Sequence, residues 1–224
     1  QHSRYEEDPL GRLSGTIRWL TVTTFGSLEA IEGEANRVNR MHDKVVGKYE
    51  SADGEKRPYR AADPDLLLWV HVAFMDSFLR AHQNYSKKPI PGGADEYVRL
   101  WADSVKPLGL ASAPQSEAEL IQTLEAFKPS LVVSDKTKRV IHWIKKAPLP
   151  PLAKPVYALL FHSALASLPE DYRAMIGLRS WPLWFTRPVT TTLLRVMRLS
   201  IGPESPIEDA AKARLKRAGV WSGE

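Results

Sequence analysis

Apolar residues recur along this chain at helical spacing, with prolines and glycines falling between the recurrences, a pattern that points away from a sheet-based fold. The clearest case runs from Ile31 to Phe78. Ile31, Ala35, Val38, His42 and Val45 follow one another at 4-3-4-3 intervals, which is one face of a helix. After a polar, turn-rich stretch, Leu67 or Leu68, His71, Phe74 or Met75, and Phe78 repeat the pattern. Each stripe holds a histidine at an apolar position. An imidazole buried there needs a partner, because an unpaired buried polar group costs roughly 1–3 kcal/mol. In the ordinary case the partner is a carbonyl or carboxylate, and in the rarer one a metal.

The same reading extends to the whole chain. A polar, extended lead-in reaches Pro9, and a helix follows over 10–24. Its stripe of Leu13, Ile17 and Leu20 runs beside a second row, Arg12, Thr16, Trp19 and Thr23. Ser27 caps the next helix, which continues to about Val46 and stops at Gly47. Residues 48–60 are turn-rich, and Asp53-Gly54 suits a short hairpin. Asp63 and Pro64 open a helix to Tyr85 as N-cap and first residue. Further helices are expected over 94–108, 117–127 (with Ser116 and Glu119 as a capping box), 135–145, 155–167 and 169–176. One over 183–201 is interrupted at Pro188, and a last one covers 206–218. The expectation is a single all-α domain over 1–224, with eight to ten helices.

Composition narrows the function classes. The 224 residues are 43% hydrophobic and 25% charged, as in ordinary globular proteins. The net charge of +5 is modest and scattered, and its densest run, Lys212, Arg214, Lys216 and Arg217, reads as a solvated helix face. No nucleic-acid partner is expected. The absence of cysteine excludes disulfides, iron–sulfur clusters, thiolate zinc sites and thiolate-ligated haem. No apolar run approaches the roughly 18 residues of a spanning helix, and no signal peptide opens the chain, so a cytoplasmic protein is expected.

No P-loop, G-x-G-x-x-G, H-E-x-x-H or G-x-S-x-G motif is present. The acid pairs Glu6-Glu7 and Asp63 with Asp65 read as surface and helix-start residues. A haem site is compatible with what remains. Without cysteine, its axial ligand would be His, Met or Tyr. His42 could provide one, with Val38 and Val45 or Val46 beside it. Arg12 and Thr16 share a face of the first helix, and could stabilise negative charge developing on bound dioxygen. Spacing permits this arrangement without requiring it.

The blocks HSRYEEDPLGRL, TVTTFGS, RVNRMHDKVVG and RPYRAADPDLLLWVHVAFMDSFL, followed by Tyr85, resemble in order the bacterial and fungal MpaB-like oxygenases. These are distantly related to the latex clearing protein, a rubber oxygenase. The resemblance covers Gln1 to about Leu110 and continues beyond it only in fragments such as LPEDYRAMIGL. It implies an all-α fold, haem b, and the use of dioxygen to cleave carbon–carbon double bonds of isoprenoid chains. By that likeness His42, in RVNRMH, is the axial iron ligand, and Arg12 and Thr16 form the distal R-x-x-x-T pair. Gly15 stands where the rubber enzyme has lysine, so that lysine's role has no counterpart here. Family members carry helical sequence upstream, and a distal glutamate is expected before Gln1. His71, in WVH, belongs to the MpaB-like branch and is the second candidate ligand or else a pocket residue.

Plainer readings stand beside these. Arg37 and Arg40 contact haem propionates or lie on a solvated helix face. Trp19 and Trp69 are core, Met41 is packing, and Asp63 is first an N-cap. The leading expectation is a haem-dependent oxygenase for a hydrophobic, unsaturated substrate, in a pocket lined by the helices of Val38 and Leu68. The alternative is a non-catalytic helical domain that binds haem, an apolar ligand or a protein partner.

Overall fold

The computed structural model describes residues 8–51, 53–202 and 205–222. The lead-in before Asp8, with Glu6-Glu7 and most of the HSRYEED block, lies outside the described residues. Those described form ten α-helices and one two-stranded hairpin, a single all-α domain. The order is α1 (Pro9–Phe25), α2 (Leu28–His42), β1 (Val46–Glu50), β2 (Lys56–Arg60), α3 (Pro64–Tyr85), α4 (Gly93–Asp103) and α5 (Glu117–Phe127). Then follow α6 (Asp135–Lys145), α7 (Lys154–Ser167), α8 (Glu170–Ile176), α9 (Leu183–Ile201) and α10 (Pro206–Arg217).

The core is built around α3. Val72, Met75 and Leu79 sit at 3-4 spacing and are buried against Val98 of α4 and Leu120 and Leu124 of α5. Trp69 closes one end by packing on Phe127, with ring centroids 5.4 Å apart. On another side α3 meets α7 and α9 through a polar seam. The Tyr85 hydroxyl donates to the Ser163 carbonyl (2.6 Å), the Ser163 and Thr190 hydroxyls share a bond (2.6 Å), and the Thr191 hydroxyl donates to the Tyr85 carbonyl (3.0 Å). Buried Thr186 and Thr190 are small enough to let α9 approach closely.

Several elements differ from the sequence reading. The α2 helix ends at His42, because β-branched Val45 and Val46 leave it for the hairpin. Val46 pairs with Arg60, and the Ala61 amide donates to the Val45 carbonyl (2.9 Å). Asp63 stands at the N-cap of α3, but its carboxylate accepts from the Arg60 amide (2.8 Å) and so closes the hairpin instead of capping the helix. The α4 helix stops at Asp103, and Lys106–Leu108 forms a separate 3-10 turn, as Pro107 has no amide to continue an α-helix. The Ser116 hydroxyl accepts from the Glu119 amide (3.2 Å), but the Glu119 carboxylate reaches the Gln115 amide (2.8 Å), one residue short of a standard capping box. Pro188 does not interrupt α9. By helical spacing it lies opposite Thr186 and Thr190, on the outward face, where water can reach the carbonyl deprived of a donor. On α1 Leu13 and Ile17 of the expected apolar stripe are exposed and Leu20 is half-buried, whereas in the second row Thr16, Trp19 and Thr23 are half-buried and Arg12 is exposed.

Candidate functional site

The buried face of α2 carries Glu34, Ala35 and Val38, with His42 one turn further on. Glu34 is the unusual member, a carboxylate only 3% exposed. It survives there because two guanidinium groups reach it. Arg37 donates from Nη2 (2.6 Å) and Nε (3.0 Å), and Arg18 donates from Nε across from α1 (2.9 Å). The Arg37 hydrogen bonds, opposed by burial and aided by the charges of Arg37 and Arg18, hold the Glu34 carboxyl below its ordinary range. The same pair ties α1, which carries Arg12 and Thr16, to α2, which carries His42.

His42 is the last residue of α2 and is half-buried. Its Nδ1 is enclosed with no hydrogen-bond partner. Burial lowers its pKa, against a smaller opposing effect of the Asp43 charge, so the ring is neutral at pH 7, the form able to ligate a metal. His71 is more deeply placed, 7% exposed, with its ring centroid 6.5 Å from that of Trp101 and its Nε2 enclosed and unpartnered. Burial lowers its pKa to about 4.

Arg12 is exposed, and Thr16, one turn along α1, is half-buried with its hydroxyl on the Arg12 carbonyl (3.4 Å). Arg37 is committed first to Glu34. Among the described residues no hydrogen bond or ring contact joins Arg12 or Thr16 to His42, or His42 to His71. Leu68 lines a depression of about 370 Å³ between α3 and α5, and another of about 410 Å³ lies between the hairpin and the start of α3. Neither is lined by Arg12, Thr16, Arg37, His42 or His71, and the one with Leu68 faces α5 rather than the helix of Val38.

A third histidine escaped the sequence reading. His162 of α7 stacks on Trp181 (4.3 Å, 10° between planes) with its Nδ1 enclosed and unpartnered. The signal was available, because His162 interrupts the apolar run ALLFHSALA just as His42 and His71 interrupt theirs. Glu34 could not be found that way, since glutamate on a helix reads as surface.

No three His, Asp or Glu side chains converge among the described residues to hold a bare ion. His42 Nδ1 and His71 Nε2, each enclosed without a partner, are imidazole nitrogens that this chain offers to a metal-bearing group. Residues 1–199 match a family described as ER-bound oxygenase mpaB/B'/Rubber oxygenase, catalytic domain. The chain belongs to this family. The match spans α1 to near the end of α9 and includes Arg12, Thr16, Arg37, His42 and His71; α10 lies beyond it. No curated protein and no solved structure matches the chain. The family's common property is an oxygenase catalytic domain.

Proposed function

We propose that this family member is a haem b-dependent oxygenase that acts with dioxygen on a hydrophobic, unsaturated substrate, with isoprenoid chains the class in view. The observation that carries the reading is His42, a half-buried imidazole whose enclosed Nδ1 has no protein partner, inside an oxygenase catalytic domain. Uncovered apolar side chains support it. Leu13 and Ile17 on α1 are one exposed apolar row and Val70, Phe74 and Phe78 on α3 are another, each surface that an apolar cofactor or substrate could cover.

Haem, when bound, would supply the iron that activates dioxygen. His42 would hold it through an imidazole that burial keeps unprotonated. Arg12 would contribute a permanent positive charge and Thr16 a hydroxyl, both able to stabilise developing negative charge or to orient the substrate. The Arg18–Glu34–Arg37 cluster would fix α1 against α2, so that these groups keep one geometry. Arg37 has N–H groups beyond those given to Glu34, and these remain for a propionate. His71 is the second candidate ligand because its Nε2 is also orphaned, although Trp101 and the α3–α4 packing would have to move aside first.

The test is the visible spectrum of protein expressed with added haem, for the wild type, His42→Ala and His71→Ala. The expected result is a Soret band in the wild type and in His71→Ala that is lost in His42→Ala. Loss in His71→Ala alone moves the ligand to α3. A colourless, well-folded wild type removes the haem reading and leaves the non-catalytic helical domain.

A further inference from the structure

Charge is divided unevenly along the chain. Residues 135–202 contain eleven Lys and Arg but only three acids, Asp135, Glu170 and Asp171, out of 31 and 26 in the whole sequence; the remainder is acidic overall. This basic stretch forms α6 to α9, and these are linked to one another. The Tyr157 hydroxyl of α7 donates to the Ile144 carbonyl of α6 (2.5 Å), and Ser163 of α7 bonds Thr190 of α9.

Within this layer α9 presents an unusual face. Its inner side is set by Thr186 and Thr190, both buried. Trp184, Pro188, Arg195 and Leu199, at i, i+4, i+11 and i+15, lie opposite. Trp184 is 78% and Leu199 75% exposed, and residues 194–200 are exposed on every side, so the helix end projects from the body. Arg195 and Arg198 flank Leu199, and α9 contains no acid.

We propose that this face of α9 docks the protein onto the anionic surface of a lipid bilayer. An exposed Trp and Leu suit the boundary between headgroups and acyl chains, where an indole sits at headgroup level and a leucine enters the apolar layer. Arginines beside them can bury their stems while their guanidinium groups meet lipid phosphate. The arginines rule out burying α9 across the bilayer, and no described helix is long and apolar enough to span one, so the helix lies along the surface. A nucleic acid would use the charge but gain little from Leu199, and a second copy would set arginine against arginine. The inference stands independently of the haem reading.

The test is co-sedimentation of the full chain with phosphatidylcholine vesicles and with vesicles containing one-quarter phosphatidylglycerol, at low and high salt. Wild type is expected to bind the anionic vesicles, to bind neutral ones far less, and to be released by salt. At about fivefold in partitioning per arginine, Arg195→Gln with Arg198→Gln should weaken binding about 25-fold. Trp184→Ser with Leu199→Ser should weaken it severalfold, with circular dichroism unchanged in both variants. No binding by wild type, equal binding to both vesicles, or full binding by either double variant overturns the proposal. Loss in the arginine variant alone, with tighter binding to a single-stranded oligonucleotide, assigns the face to nucleic acid instead. A dimer that dissociates in the Trp184 and Leu199 variant assigns it to a second copy.

Discussion

Two regions of this molecule bury side chains in opposite ways. Around α3, the face Val72–Met75–Leu79 is covered completely by α4 and α5, and the polar groups that meet α7 and α9 are paired. In the α1–α2 layer a carboxylate, Glu34, is buried beside Ala35 and Val38, while Leu10, Leu13 and Ile17 stay exposed and His42 Nδ1 has no partner. The first region is completed by the chain itself along this face, and His71 Nε2, enclosed without a partner, and the exposed row Val70, Phe74 and Phe78 are its exceptions. The second has its hydrophobic surface uncovered and its polar group enclosed, an inversion expected where something other than the chain completes the packing. On the reading proposed above, that component is the cofactor and its substrate.

The largest effect should therefore come from the first region. Leu79→Ala or Met75→Ala removes fully enclosed volume, and either should cost about 2–5 kcal/mol, read as a fall in urea midpoint or melting temperature. Leu13→Ala or Ile17→Ala should stay within about 0.5 kcal/mol in haem-free protein, since these side chains already meet water. If the α1 substitutions cost as much as the α3 ones, the contrast is broken and α1 is ordinary core.

Acid should separate the regions next. The folded-state pKa of His71, about 4, lies below the ordinary value of 6.5, so the unfolded chain binds the proton more readily. Stability tied to this group is therefore present above about pH 6.5 and is lost as pH falls toward 4. The full difference corresponds to about 3 kcal/mol. His42 and His162, lowered in the same direction by burial, should add to the slope. In haem-free His71→Phe, melting temperatures between pH 7.5 and 4.5 should fall more gently than in the wild type. Equal slopes would mean that His71 gains a partner in solution.

Glu34→Gln should have a smaller effect, about 1–3 kcal/mol at pH 7, because Arg18 and Arg37 are partly exposed and water can take over their charges. The Glu34 carboxyl is held below its ordinary range, so its contribution is present above about pH 4.3 and lost as pH falls through the folded value. The gap between wild type and Glu34→Gln should accordingly close in strong acid. A gap that persists there would make Glu34's role steric rather than ionic.

The sequence was most informative where local rules and packing agree. Bounds of 117–127 follow from the Ser116 cap and helical periodicity and those of 135–145 from periodicity, and α5 and α6 have those bounds. Reading failed where a distant contact decided. Val45 and Val46 continue the α2 stripe in sequence, yet hairpin pairing with β2 removes them from it. On α1 the row Thr16, Trp19 and Thr23 is half-buried while Leu13 and Ile17 are exposed, a reversal that the side-chain types along the helix do not announce. The candidate residues Arg12, Thr16, His42 and His71 could be named from spacing and family likeness. That Arg37 would be taken by Glu34 could not, because nothing in either residue's neighbourhood marks that carboxylate as buried. The basic stretch that forms α6 to α9 is continuous in the sequence as well, and a net charge taken over the whole chain averages it away.

The smallest effect tests α1 at Gly15, where the family's rubber enzyme has lysine. A β-carbon added there meets no atom within 4 Å, and the backbone is helical. Gly15→Ala should therefore stabilise the haem-free protein by about 0.5–1 kcal/mol, through the lost freedom of the unfolded chain, and raise melting by about 2–4 °C. Gly15→Lys should gain less, because it places a cation three residues from Arg12 on the same helix. On the proposed reading, neither change should abolish the Soret band, as His42 lies on the other helix. Destabilisation by Gly15→Ala would show that something outside the described residues already packs against this position. The α1 surface would then be covered by protein rather than left for a cofactor, and the contrast between the two regions would have to be redrawn at that point.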